Sequence, residues 1–325
     1  MRDLATLPKA HLHVHLESTI RPGTLRELGE ANGIDVPAEP PVFDGFRAFA
    51  DYNALVRACL RRPEDFERVA REYCEDEAAQ GTRYAEITFT AASHGERLGD
   101  LEMPLESVLK GLTASPSGLG WRLLLDHSRR RSVERAERTL DLALKYDEVF
   151  AIGMAGEESH SLRPFATVFE KARAGGLHLL HHTGEDAGPD SIREALDIGR
   201  TERLGHGIRV LDDPGLVAEV RGRGLALEVC PSSNVTLGLV PALPEHPLPR
   251  LLDAGLTVTL NTDVPSVTGA NLAAEYARVR NAFRYDDAVM AGFARASVTA
   301  SFAPEATKEA MLRDIDAWLT PAAGG

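Results

Sequence analysis

Along the chain, short apolar runs alternate with longer stretches in which apolar residues return every three or four positions. The short runs are 11–16, 83–90, 121–127, 149–156, 177–185, 203–208, 225–234 and 256–265. Each has the length and content of a buried strand. Between them, "DFERVAREYCEDEAAQG" puts Phe66, Val69, Ala70 and Tyr73 on one helical face, and Gly81 ends the pattern. "DSIREALDIG" and "DPGLVAEVRGRG" behave the same way, each closing near a glycine. Repeated strand–helix units demand parallel strands with right-handed crossovers. Eight of them predict a closed (β/α)8 barrel rather than an open sheet.

At 325 residues, a single barrel domain over 1–325 accounts for the chain. The segment 17–81 is longer than one crossover helix needs. It holds "EPPVFDGFRAFADYNALVRACL", with prolines and several aromatics. It therefore reads as including a lid-like insertion after strand one, over the barrel mouth. The last fifty residues read as closing helices.

Composition narrows the partners. The hydrophobic fraction is 43% and the charged fraction 26%, as in ordinary globular proteins. The net charge of −13 repels phosphate backbones and anionic lipid, so neither nucleic acid nor a membrane is expected as a partner. The basic run Arg129, Arg130, Arg131 reads as a solvated turn after strand three. Cys59, Cys74 and Cys230 are few, odd in number and widely spaced, which predicts reduced thiols and a cytoplasmic protein. With no CxxC pair, a thiolate zinc knuckle is excluded. "MRDLATLPKAH" lacks the apolar core of a signal peptide, and no window approaches the length of a membrane span.

The chemistry is concentrated at the strand ends, where barrels of this type build their active sites. "AHLHVHLES" carries His11, His13 and His15 at every second position, followed by Glu17. His13 and His15 face one side of a strand and can share one ion near the barrel axis. His11 has the same parity but lies a layer deeper and reads as hydrogen-bonded barrel filling. Strand five ends in His181, His182 and Glu185, strand six carries His206, and strand eight ends in Asp263. His181 and His182 point to opposite faces, so only one of them is a ligand. Three imidazoles and one carboxylate suit Zn²⁺. Glu185 and His206 are then left over. Zinc lowers the pKa of a bound water to about 7. A carboxylate beside it can move protons, and a histidine can orient the water and stabilise developing negative charge. Two-metal hydrolases on such barrels bridge their ions with a lysine or acid from strand four. "VFAIGMAG" has neither, which favours one zinc per chain.

Taken together, "LPKAHLHVHLES", "HTGE", "TERLGHGIRVLDD", "LEVCPSSN" and "LNTDVPSVTGANLAAEY" resemble the adenosine and adenine deaminases, a branch of the amidohydrolase barrels. The likeness runs nearly end to end. It implies that His13, His15, His182 and Asp263 hold the zinc. It implies that Glu185 protonates the ring nitrogen beside the attacked carbon and that His206 activates the water. Gly156, in "GMAGEE", matches the glycine whose backbone N–H binds a purine nitrogen.

The departures lie among the residues that read the substrate. The family has H-x-H-x-D-G or H-x-H-x-E-G, whereas "HVHLES" has Glu17, as in the adenine-using branch, and then Ser18 in place of glycine. Val264, in "TDVP", replaces an aspartate that contacts the purine imidazole nitrogen, and Gly153 stands where strand four carries another aspartate. The resemblance thus implies hydrolytic release of ammonia from an adenine-type base, nucleoside or modified aminopurine. Two alternatives remain open at this level. One is the hydrolysis of another C–N bond, in a cyclic amidine or non-purine amino-heterocycle. The other is a binding protein on a deaminase scaffold, against which the retained Glu185 and His206 argue.

Overall fold

The structure is a computed structural model that describes residues 1–43 and 45–320, without the side chain of Phe46. Position 44 and positions 321–325 of the expected domain lie outside the described residues. Eight parallel strands hydrogen-bond in chain order: β1 (Lys9–His11), β2 (Thr82–Phe89), β3 (Gly120–Ser128), β4 (Val149–Ala155), β5 (His178–Thr183), β6 (Leu204–His206), β7 (Ala226–Val229) and β8 (Thr257–Leu260). With helices between and outside them, this is a (β/α)8 barrel.

The seam between β8 and β1 is made differently from the other seven. A side-chain oxygen, Asn261 Oδ1, accepts from the backbone N–H groups of Leu12 at 2.9 Å and His13 at 3.1 Å. One layer further, Val14 bridges Asp263: the Asp263 N–H donates to His13 O at 3.0 Å and the His15 N–H to Asp263 O at 2.9 Å. His15 also bridges Thr88 of β2.

Three strands end well short of the hydrophobic pattern, and β5 and β6 end slightly short of it. Strand one ends at His11 as a regular ladder, and His13 to His15 continue only through isolated bridges before a turn of 3₁₀ helix at Leu16–Thr19. The runs 225–234 and 256–265 also overreach. Pro231 and Pro265 open the short helices Pro231–Thr236 and Pro265–Thr268, where a missing N–H costs nothing. Before the second of these, Asp263 turns out of the extended region with φ +58°.

Between Thr19 and β2 lie the helices Pro22–Asn32, Gly45–Ala58 and Pro63–Ala79. The last is the crossover helix, with Phe66, Val69, Ala70 and Tyr73 all buried. The carboxyl-terminal helices are Leu272–Phe283, Asp287–Ala300 and Glu305–Leu319. Apolar strand and helix faces bury one another in two large clusters. One contains Ile87, Leu123 and Phe169, the other Leu204, Leu227 and Tyr276. At the amino-terminal end of the barrel, Lys9 is fully buried. Its ammonium donates to the carbonyls of Leu4 and Leu7 at 2.7 Å and Gln80 at 2.8 Å. No helix among the described residues is long and apolar enough to cross a membrane.

Candidate metal centre and active site

At the carboxyl-terminal end, His13, His15, His182 and Asp263 converge. His182 Nε2 lies 3.1 Å from both His13 Nε2 and His15 Nε2. Asp263 Oδ1 lies 3.3 Å from His15 Nε2 and 3.6 Å from His13 Nε2. A tetrahedral zinc with bonds of about 2.0–2.2 Å requires ligand atoms about 3.3–3.6 Å apart, so the four atoms are close to the spacing such an ion needs. Their partners fix which atoms face inward. His13 Nδ1 donates to Glu228 Oε2 at 2.8 Å, leaving the Nε2 lone pair aimed at the cluster. Glu228 is itself held by Arg203 Nε at 2.6 Å, and Arg203 also binds Glu86. Ser233 Oγ donates to Asp263 Oδ2 at 2.6 Å, leaving Oδ1 for the cluster. Converging acceptor atoms of this kind are relieved by a cation.

The adjacent His181 is not part of the cluster. Its Nδ1 accepts from the Met154 N–H at 3.1 Å, and its Nε2 donates to Gly199 O at 3.0 Å. Both ring nitrogens are satisfied inside the wall. His11 fills the barrel as expected. Its Nε2 is 3.0 Å from Thr262 Oγ1, and its Nδ1 is 3.1 Å from Glu77 Oε2.

Glu185 and His206 stand beside the cluster, within reach of Asp263. His206 Nε2 lies 3.6 Å from Glu185 Oε2, and among the described residues neither His206 Nε2 nor Glu185 Oε1 has a hydrogen-bond partner. A backbone anchor fixes the proton on His206. The Leu248 N–H donates to His246 Nδ1 at 3.0 Å, so His246 Nε2 carries a hydrogen and donates to Asn234 Oδ1 at 3.2 Å. That orients the Asn234 amide so that its Nδ2 donates to His206 Nδ1 at 3.4 Å. The His206 proton is therefore on Nε2, pointing at the space beside Glu185. Burial, reinforced by His13, pushes the His206 pKa down to about 3, so the ring is neutral. Burial, together with the charges of Asp263, Glu158 and Asp186, pushes the Glu185 carboxyl well above its usual range and favours the protonated acid.

Local backbone geometry supports this placement. Gly184 has φ +65°, a conformation open to glycine, and it turns the chain so that Glu185 points inward. The N–H groups of Gly184 and Glu185 donate to the buried Glu158 carboxylate, both at 2.7 Å. A Cβ on Gly205 would come within 3.0 Å of the His182 Cα and 3.2 Å of the His13 ring, so glycine is needed beneath the cluster. Four described non-glycine residues have positive φ, and two of them are His206 and Asp263. Each costs on the order of 1–3 kcal/mol, and strain of this kind gathers at functional sites.

The cluster opens into a cavity of about 320 Å³ lined by His15, Glu17, His182, Glu185, His206, Asp263, Val264 and Gly156, among others. Glu17 accepts from the Thr90 N–H at 3.1 Å and lies 3.2 Å from His94 Nε2. Burial alone would raise its carboxyl, but His94 holds it down at about 2. Ser18 is buried but outside the lining, its N–H donating to His15 O at 2.9 Å. Gly153 is a packing residue rather than a cavity residue, since a Cβ there would lie 2.4 Å from the Leu180 carbonyl oxygen on β5.

The arginine run after β3 is a turn with Arg130 and Arg131 exposed, as expected, but its first residue is not solvated. Arg129 is buried and donates to the His182 carbonyl, while Arg130 and Arg131 line the cavity. Local sequence shows three charges but not the distant carbonyl one of them meets. The pattern also did not single out Glu158, Asn234, His246 or Asp126. Asp126, on β3, reaches the cavity with Oδ1 buried and unpartnered among the described residues. A carboxylate breaking the apolar run "WRLLLDH" just at its strand end was the available signal.

Comparison with known proteins agrees with this geometry. The sequence profile of the adenosine deaminase family matches residues 8–318. An adenine deaminase of Streptomyces coelicolor is 37% identical over 334 residues, covering 98% of each chain. An aminodeoxyfutalosine deaminase of Streptomyces avermitilis is 34% identical over 336 residues, covering 98% of this chain and 94% of the relative. The crystal structure of an adenine deaminase from Arthrobacter aurescens superposes with TM-score 0.91 at 31% identity, over 96% of this chain and 99% of that one.

Proposed function

Because the chain belongs to the adenosine deaminase family, we propose that it is a zinc-dependent aminohydrolase that replaces the ring-bound amine of an adenine-type base, nucleoside or modified aminopurine with oxygen, releasing ammonia. One observation carries this reading: the His13, His15, His182 and Asp263 cluster shares its cavity with a buried carboxyl, Glu185, held in its acid form. Near-equal identity to relatives named for different substrates leaves the substrate to be read from the cavity.

A bound zinc supplies Lewis acidity, which makes water a competent nucleophile at neutral pH. In this reading Glu185 donates its proton to the ring nitrogen next to the attacked carbon. Water adds to that carbon and returns a proton to the Glu185 carboxylate. The proton left on the new hydroxyl then passes to the amine through the same carboxyl, and the C–N bond breaks so that ammonia leaves as the C=O forms. His206 offers its Nε2–H to the incoming oxygen and stabilises the charge that develops there. The Gly156 backbone N–H holds a second ring nitrogen, and Glu17 stays ionised for a donor on the substrate. The helix Gly45–Ala58, which lines the cavity, serves as the covering part of a lid-like insertion within 17–81 and limits water. Val264 presents an apolar wall where the family has an acid, which favours a ring with carbon or an apolar substituent at that edge and keeps the non-purine amino-heterocycle reading in play. Three free, buried cysteines favour the cytoplasm.

The test is ammonia release from adenine, adenosine and a panel of ring-modified aminopurines, with elemental analysis of the same preparation. Release from at least one aminopurine with about one zinc per chain is expected. Release from none of them, or a reproducible two metals per chain, overturns the corresponding half of the proposal.

A further inference from the structure

The cavity changes character from its floor to its mouth. Its floor carries the cluster and the buried acids Glu17 and Asp126, which are 3% and 7% exposed. Its outer lining carries Arg47, Arg57, Arg130, Arg131 and Arg135, all partly or fully exposed. Two of these are already neutralised: Arg47 Nε lies 3.3 Å from Asp51, and Arg135 pairs with Glu96. Arg130 stands 3.7 Å from Glu157, a loose pair at the surface. Arg57 and Arg131 have no carboxylate oxygen of the described residues within 4.0 Å. Arg57 acts on Glu17 and Asp126 only from a distance.

The backbone beneath these side chains is fixed. Arg129 is buried against the His182 carbonyl, its N–H donates to Ala155 O at 2.9 Å, and the Arg131 N–H donates to Ser128 O at 2.9 Å. Arg57 comes from a separate element, the last turn of Gly45–Ala58. Guanidinium groups with no carboxylate partner among the described residues thus line one cavity from two separate elements, in a chain whose net charge is −13. A neutral base or nucleoside offers them acceptors but no opposite charge. Guanidinium forks recognise carboxylate and phosphate oxygens, and such bonds are the stronger hydrogen bonds of a site.

We infer that Arg57, Arg130 and Arg131 form an anion-binding subsite at the mouth of the cavity, so that the substrate is an aminopurine carrying a carboxylate or phosphate away from the reacting amine. This inference rests on the deaminase reading above. The reacting end of the substrate meets the cluster and the anionic end meets the arginines, with the cavity setting the distance between them.

The experiment compares kcat/KM for ammonia release from adenosine, its 5′-monophosphate and its 5′-carboxylate. It uses the wild type, the double variant Arg57→Gln/Arg131→Gln and the charge-preserving Arg131→Lys, with a thermal melt on each. At least one anionic substrate is expected to exceed adenosine by about tenfold or more, with the advantage shrinking as salt rises. The anionic-to-neutral ratio is expected to fall by about tenfold in the double variant and less in Arg131→Lys. Which anion gains more tells carboxylate from phosphate. Turnover of adenosine equal to that of both anions, or a ratio indifferent to the substitutions, overturns the subsite and leaves the deaminase reading standing. If none of these compounds and no aminopurine of the wider panel releases ammonia, the deaminase reading fails and the subsite falls with it.

Discussion

Lys9 at one end of the barrel and the titratable groups around the cavity at the other are buried in opposite ways. At the amino-terminal end, Lys9 is surrounded by three carbonyls at 2.7–2.8 Å, one for each ammonium hydrogen. In the middle layer, Arg203 spans Glu86 and Glu228. At the carboxyl-terminal end, His206 Nε2, Glu185 Oε1 and Asp126 Oδ1 are buried without a hydrogen-bond partner among the described residues, and His206 and Asp263 sit in left-handed backbone. A satisfied buried charge holds a fold in register. An unsatisfied polar group beside a cavity is held ready for something that is not protein. Removing a single side chain should therefore cost mainly stability at the lower end and mainly turnover at the upper one.

The largest effect that would break this comparison is at Glu185. Glu185→Gln is nearly isosteric but cannot deliver a proton, so kcat is expected to fall about 10²–10⁴-fold while metal content and melting temperature hold. Wild-type turnover in that variant would remove Glu185 from the chemistry. At the other end, Lys9→Met strips three buried carbonyls of their donor and is expected to cost about 3 kcal/mol in a denaturant titration, with kcat of the folded protein unchanged. A loss below about 1 kcal/mol would mean that the cage is not holding the lower end together. Asn234→Asp tests the orientation of His206. A carboxylate accepts a proton from Nδ1 and leaves Nε2 bare, so kcat should drop about 10²-fold with KM little changed, and ¹⁵N shifts of the ring should report the switched tautomer. The smallest effect concerns Val264. The wild type is expected to be a poor deaminase of plain adenosine, and Val264→Asp to raise its kcat/KM by about tenfold. Wild-type values above about 10⁵ M⁻¹s⁻¹ would contradict this.

The same contrast explains what could be read from sequence. The eight apolar runs and the periodic helices between them are local signals, and they specified the barrel. The His13, His15, His182, Glu185, His206 and Asp263 set was legible because each residue breaks an apolar strand end, where a polar group needs a reason. Strand lengths were less legible. Pro231, Pro265 and the left-handed Asp263 end the ladder inside runs that remain apolar. Residues acting at long sequence range left no local trace. Asn234 and His246 matter through a hydrogen-bond line that starts at the Leu248 amide, and Arg129 matters through the carbonyl of a residue 53 positions away. Gly153, which from sequence looked like a lost substrate contact, is explained by the approach of β5.

The seam that closes the ring has one more consequence. His13, His15 and Asp263 sit where β1 and β8 meet through one amide side chain and a single bridge, and His182 reaches over from β5. An ion gripped by all four works as a buckle on a belt: its occupancy and the closure of the ring are one coupled equilibrium, and binding adds stability in proportion to the logarithm of free metal over its dissociation constant. In a cell running short of the metal, the ring would slacken at this buckle and become open to proteases. The lifetime of the protein, and not only its turnover, would then follow the metal supply.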